Sequence, residues 1–122
     1  MELTRTSFRR RIVVLGDSVL DLWLSGTSHR LCREGAAPVV DVDGLDMAPG
    51  AAANTAANIA ALGYAVDLVS VVGDDDIGEV LLERLRQCGV GIDHVVRVPG
   101  RTTPSKQRVL AADHVLVRLD QG

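Results

Sequence analysis

Aromatic side chains are almost missing from this sequence of 122 residues. Phe8, Trp23 and Tyr64 are the complete set, which argues against a surface that stacks nucleic-acid bases and against an aromatic platform for a sugar ring. Hydrophobic residues still make up 47% of the chain and charged residues 24%. This balance is typical of a globular protein of one domain, whose core must consist of Val, Leu, Ile and Ala.

Excess charge, cysteine motifs and long apolar runs are missing too. The formal net charge is −3, so we expect neither a nucleic acid nor a membrane as a partner. Cys32 and Cys88 lack the spacing of a metal site and follow no secretory signal, so we expect reduced thiols in a cytoplasmic protein. His29, His94 and His114 show no metal spacing either, and no metal site is expected. No apolar run approaches the ~20 residues that a membrane span needs.

Short apolar runs alternate with helical patterns in the first two thirds of the chain. Residues 12–15 and 66–72 are β-branched runs that end at Gly-Asp, as buried strands of a parallel sheet do. Residues 54–62 are rich in alanine and are followed by Gly63, while residues 77–87 have the spacing of an amphipathic helix that Gly89 stops. This order predicts a βαβα unit of an α/β fold.

Two other stretches, near 36–43 and 95–119, alternate apolar and polar residues. Alternation is typical of a sheet with one face in solvent. We therefore expect a small antiparallel β layer beside the α/β body. The chain ends directly after the last of these strands, so we expect residues 1–122 to be part of a larger domain.

Two carboxylates follow the first predicted strand. Asp17 stands just beyond its carboxyl end, where α/β folds place their ligands. Asp21 comes four residues later, and the two could accept hydrogen bonds from paired hydroxyls of a polyol. The alternative is that Asp17 only caps the next segment.

Small residues lead into the first predicted helix. Gly50 and Ala51 allow the backbone and the helix N-terminus to approach a ligand closely. Asn54 offers a donor and acceptors that match a sugar hydroxyl. The structural alternative is a tightly packed alanine helix with Asn54 as its N-cap.

Two charged segments complete the set of candidates. Asp74, Asp75 and Asp76 fall at a strand-to-helix turn, where Asp caps a helix and offsets its dipole, and we favour this structural role over a metal site. Lys106 and Arg108 would share one face of a strand and could hold a phosphate group. Solvation at the surface is the equally open alternative for this pair.

The order of these motifs resembles the N-terminal half of pfkB-family, ribokinase-like carbohydrate kinases. The resemblance covers residues 12–120 and is carried by Gly-Asp at 16–17, Pro-Gly at 49–50 and Gly-Asp-Asp-Asp at 73–76. Within the family, the chain is similar to the heptose 7-phosphate kinase domains of bifunctional heptose kinase/adenylyltransferases. The features that carry this likeness lie at residues 16–21, 38–40, 54–63, 106–110 and 117–120.

This resemblance implies the N-terminal part of a three-layer α/β sandwich, with the β layer as a lid that closes over the sugar. It also implies phosphorylation of a sugar or sugar-phosphate hydroxyl with ATP and Mg²⁺, heptose 7-phosphate being the leading substrate. The substrate-binding residues that it implies are Asp17, Asp21, Gly50, Ala51, Asn54, Lys106 and Arg108. Because a half-covered lid leaves apolar surface and open strand edges, we expect a homodimer formed through it.

The sequence also departs from the family. The family's paired glycines are Gly50 and Ala51 here, and residues 30–38 change the Ser and Pro positions of the heptose-kinase lid. The glycine-rich motif with the catalytic Asp and the nucleotide pocket does not occur in the 122 residues. We therefore expect no catalytic residue, no bound cofactor and no kinase activity in this chain alone.

Two other functions compete with that of a kinase as explanations of this sequence. A standalone, non-catalytic sugar-binding or dimerising module is the main alternative. A dinucleotide-binding protein is disfavoured, because no G-x-G-x-x-G follows the first predicted strand.

Overall fold

The computed structural model describes residues 11–122. Its elements, in chain order, are β1 (Arg11–Leu15), β2 (Ser18–Leu31), β3 (Pro38–Ala51), α1 (Ala52–Ala61), β4 (Ala65–Gly73), α2 (Asp76–Gln87), β5 (Val95–Val98), β6 (Ser105–Ala111) and β7 (His114–Gln121). None of the helices in this part of the chain is both long and apolar enough to cross a membrane.

A three-stranded parallel sheet of order β1-β4-β5 forms the α/β body. Alternate residues of β4 point to opposite faces, and Val66, Leu68 and Val72 are buried on one of them. There they join a core with side chains of both helices: Ala53, Ala56, Leu81, Leu82 and Leu85. The prediction of a buried strand is wrong for β1 within residues 11–122, since Val13 and Leu15 on its other face are 63% and 78% exposed. Within residues 11–122 the helices therefore cover one face of this sheet.

Glycines end both helices as the sequence predicts. Gly63 and Gly89 have φ angles of 88° and 80°, a conformation that costs a glycine nothing. Their amides donate to the carbonyl oxygens of Ala60 and Arg86 at 2.9 Å in each case. Helix α1 begins two residues earlier than the pattern predicts, so Asn54 lies inside its first turn. The interpretation of Asn54 as the N-cap is wrong, because Ala51 occupies that position.

The predicted separate β layer is confirmed as a four-stranded sheet of order β3-β2-β6-β7, the lid sheet, but the expectation that it is antiparallel is wrong for its central pair. Its outer pairs, β2–β3 and β6–β7, are antiparallel, whereas β2 and β6 are parallel. The parallel pair arises because the chain passes through the α/β body between β2 and β6 and re-enters the lid at the same end.

The strands that build the lid differ from the predicted ones in two places. Val95–Val98 was expected in the lid, but it pairs with β4 as the edge strand of the parallel sheet. Strand β2, which no prediction included, is central to the lid. Its Leu20 is fully buried against the α/β core, so the lower part of the lid shares the hydrophobic core.

Candidate functional site

The Asp21 carboxylate lies on β2, a central strand of the lid sheet, near the start of that strand. One of its oxygens, Oδ1, accepts a hydrogen bond from Arg108 Nη1 at 2.8 Å. The other, Oδ2, faces Gly50 on β3, where an added Cβ would overlap it. The structure thus brings together three of the predicted site residues, and Gly50 is needed there because any side chain would displace the carboxylate.

Lys106 lies directly opposite Asp21 across the parallel β2–β6 pair. Strand alternation places it on the same face of the lid as Arg108, as predicted. Unlike Arg108, it forms no ion pair with any carboxylate of residues 11–122. The two cations therefore occupy different electrostatic settings, although they are only two positions apart.

The start of α1 lies next to this site, because α1 begins directly after β3. Ala51 has φ 53° and ψ −130°, a strained conformation for a residue with a Cβ. The next amide, that of Ala52, donates to the carbonyl oxygen of Asp17 at 2.9 Å. Asn54 is exposed on the first turn, and its Oδ1 accepts from Asn58 Nδ2 at 3.3 Å. Its own amide N–H groups remain available as donors to a ligand.

The side chain of Asp17 lies apart from this cluster. It is exposed and lines a groove of about 250 Å³ over the sheet, together with Ser70, His94 and Val96. Asp21 is not among the residues that line this groove. The two carboxylates, four positions apart in sequence, therefore serve different surfaces, and the backbone of Asp17 adjoins the start of α1.

The predicted structural role of the acidic run is confirmed at Asp75, the N-cap of α2. Its carboxylate accepts from the Gly78 amide at 2.8 Å, and from the Thr103 amide and hydroxyl at 2.8 and 2.6 Å. Burial acts to raise the pKa of Asp75, but these hydrogen bonds together outweigh it and hold the pKa below its ordinary value. Asp75 thereby ties the start of α2 to the segment that enters β6.

Sequence reasoning missed three residues that support the site. Trp23 lies under Arg108, with the guanidinium carbon 5.2 Å from the ring centroid. Ser18 and Ser70 are buried, and their hydroxyls are 2.8 Å apart between the lid and the parallel sheet. The alternation of Leu20, Leu22 and Leu24 could have identified β2, and with it the face that carries Trp23. Nothing in the sequence pairs Ser18 with Ser70.

Comparison with known proteins gives a consistent family. The pfkB family carbohydrate kinase profile matches residues 9–119. The bifunctional protein HldE of Psychromonas ingrahamii is 40% identical over 98% of this chain, and that of Yersinia pseudotuberculosis is 41% identical over the same share. In both cases the chain spans 25% of the relative's length, about a quarter of these curated proteins.

Solved structures agree on the fold. A carbohydrate kinase from Agrobacterium tumefaciens matches with a TM-score of 0.68 and 27% identity over 92% of this chain and 35% of its own. Ribokinase from Cryptococcus neoformans, in complex with ADP, matches with a TM-score of 0.65 and 26% identity over 91% of this chain and 34% of its own. The predicted α/β fold with its lid is thus shared with enzymes about three times as long.

Proposed function

Because the chain belongs to the pfkB family of carbohydrate kinases, we propose that it forms the N-terminal, sugar-binding part of an ATP-dependent sugar kinase. The observation that carries this proposal is the Asp21 carboxylate, fixed beside Gly50 at the lid and followed along β3 by the start of α1. A rim of this kind offers acceptors from Asp21 and donors from Asn54, which together suit a polyol.

The proposed substrate is a sugar that already carries a phosphate, with heptose 7-phosphate first. Residues 106–110 are among the sequence features that resemble heptose 7-phosphate kinases. Lys106 supports this choice, since its ammonium forms no ion pair within residues 11–122 and could bind a phosphate as a point charge. Gly50 and Ala51 would border the sugar ring, with Asp17 near the rim through its backbone.

The rim formed by Asp21 and Asn54 is not where we expect the nucleotide and its metal. No three side chains of His, Cys, Asp or Glu converge within residues 11–122, and the rim consists of groups that suit hydroxyls. We therefore propose that ATP and Mg²⁺ bind to other parts of a kinase-length protein, which would also supply the base and the charge stabilisation that phosphoryl transfer needs. The chain alone should show no sugar-dependent release of ADP.

A second copy of the chain is the proposed partner of the lid. The face opposite Asp21 carries an apolar row of Leu45, Leu24, Val109 and Val117, which are neighbours in register across all four strands. Leu45 and Val117 are 50% and 46% exposed. An apolar row that crosses all four strands favours association with another sheet over exposure to water.

The decisive experiment replaces Asp21 in a kinase-length protein that contains this sequence. Asp21→Ala removes a charged acceptor, so the KM for heptose 7-phosphate should rise by a factor of ten or more, as losing about 1.5–3 kcal/mol predicts. The KM for ATP should stay unchanged. An unchanged KM for the sugar phosphate would refute the role of Asp21, and sugar binding without any kinase activity would favour the non-catalytic module.

A further inference from the structure

Arg108 on β6 forms its ion pair with Asp21 on β2, although the two residues are not direct register partners. Its register partner on β2 is Trp23, two residues beyond Asp21. The guanidinium group therefore extends back along the sheet to donate to Asp21 Oδ1 at 2.8 Å. Both side chains are largely shielded, with 26% of Arg108 and 20% of Asp21 exposed, so this ion pair is better protected from screening than a surface pair.

The indole ring of Trp23 limits where the guanidinium group can go. The Arg108 guanidinium carbon lies 5.2 Å from the ring centroid, within the range of a cation–π interaction. Arg108 is thus held by a carboxylate on one side and by an aromatic face on another. Its positive charge is already engaged with Asp21, in contrast to the charge of Lys106.

Gly50 completes the arrangement from the opposite side. Because an added Cβ at Gly50 would overlap Asp21 Oδ2, the carboxylate lies directly against the backbone of β3. Arg108 at one oxygen and the β3 backbone beside the other leave the carboxylate little rotational freedom. A preorganised acceptor binds a hydroxyl without the entropic cost of ordering a free side chain.

We propose that Arg108 is a positioning residue, which fixes the Asp21 carboxylate for the sugar hydroxyl and leaves recognition of the substrate phosphate to Lys106. The proposal rests on the proposed function, in which Asp21 binds the sugar. Lys106 and Arg108 then have different roles, although the sequence alone presents them as one phosphate-binding pair. Trp23 supports the Arg108 guanidinium group through its ring face.

The test uses Arg108→Gln and Arg108→Lys in the kinase-length protein. Arg108→Gln should raise the KM for heptose 7-phosphate by up to about tenfold, because the freed Asp21 carboxylate must then be ordered when the sugar binds, without changing the KM for ATP. Arg108→Lys should recover part of this loss, because it keeps the charge but not the planar group that lies over Trp23. A lost fold would change both KM values and the melting temperature, so this split separates positioning from a general structural role.

Arg118→Gln is the matched control. Arg118 is directly opposite Arg108 in register on β7 and forms its own ion pair with Asp120. It therefore shares the residue type and the face of the sheet, but not the contact with Asp21. We expect no change in either KM. A rise in the sugar KM equal to that of Arg108→Gln would overturn the proposal, since a general effect of charge on this face would then explain both.

A double variant identifies the partner through which Arg108 acts. If Arg108 works through Asp21, Asp21→Ala combined with Arg108→Gln should behave as Asp21→Ala alone. If Arg108 contacts the phosphate, the two losses should add, and the loss in Arg108→Gln should vanish with unphosphorylated heptose; either result overturns the proposal. An unchanged KM in Arg108→Gln, with a raised KM in Asp21→Ala, refutes the positioning role alone. An unchanged KM in Asp21→Ala refutes the proposed function instead.

Discussion

Replacing Asp75 by alanine should remove the strongest polar link between α2 and the lid. The change deletes the N-cap bond to Gly78, worth about 1 kcal/mol. It also deprives Thr103, which is fully buried, of the acceptor for its amide and its hydroxyl. A buried donor left without a partner costs about 1–3 kcal/mol. Because one cap bond and two donors of Thr103 lose their acceptor, we expect a loss of at least about 3 kcal/mol, a large part of the stability of a typical domain.

Urea unfolding of the chain at pH 7, followed by circular dichroism, measures this loss. The matched control is Asp74→Ala, in the same acidic run, because Asp74 is exposed and its ion pair with Arg97 spans 3.9 Å. That variant should unfold within about 0.5 kcal/mol of the parent. A loss below about 1 kcal/mol in Asp75→Ala would refute the reasoning, as would equal losses in both variants.

The same carboxylate gives the stability a defined dependence on pH. Its pKa is lowered in the folded state, so its contribution is complete above the unfolded value of about 3.9 and is lost as the pH falls through the folded value. Unfolding free energies measured between pH 7 and pH 3 should therefore decline less steeply at the acidic end in Asp75→Asn than in the parent. Parallel curves for the two proteins would contradict this origin.

Four further changes test the lid and its base. Gly50→Ala in a kinase-length protein should raise the sugar KM and not the ATP KM, because the new methyl group displaces the neighbouring carboxylate; equal shifts in both would point to misfolding. Ala51→Gly should stabilise the chain by about 1 kcal/mol in urea unfolding by relieving its positive φ, and a loss would contradict that strain. Ser18→Ala should cost about 1–3 kcal/mol by stranding the Ser70 hydroxyl, and adding Ser70→Ala should recover much of it; additive losses would argue otherwise. Light scattering at micromolar concentration should give a dimer that Val117→Glu converts to monomer, whereas a monomeric parent would end the lid-pairing proposal.

The α/β body could be predicted from the sequence because its signals are local. Parallel strands appear as continuous apolar runs. The helices end at Gly63 and Gly89, because glycine adopts the left-handed φ of the cap without strain. The capping role of Asp75 is local in the same sense, since its turn adjoins the helix that it caps. These features depend on residues within a few positions of one another.

The membership of each sheet was decided by contacts that no local pattern contains. Residues 95–98 and 105–111 both have the composition of a strand. Residues 95–98 nevertheless pair with β4, whereas residues 105–111 pair with β2. The choice between these partners depends on where the chain enters each strand, after helix α2 for β5 and after the loop that follows β5 for β6, and these entry points are a property of the packed body.

The candidate site shows the same division. The sequence determined which residue types were available, namely the carboxylates, the small residues before α1 and the two cations of β6. Only the tertiary structure turned Asp17 toward a groove in the parallel sheet and engaged Arg108 with Asp21, 87 positions away. An ion pair between such distant positions forms only after folding has brought two strands into register, because charge and spacing in the sequence do not state which carboxylate a cation will meet.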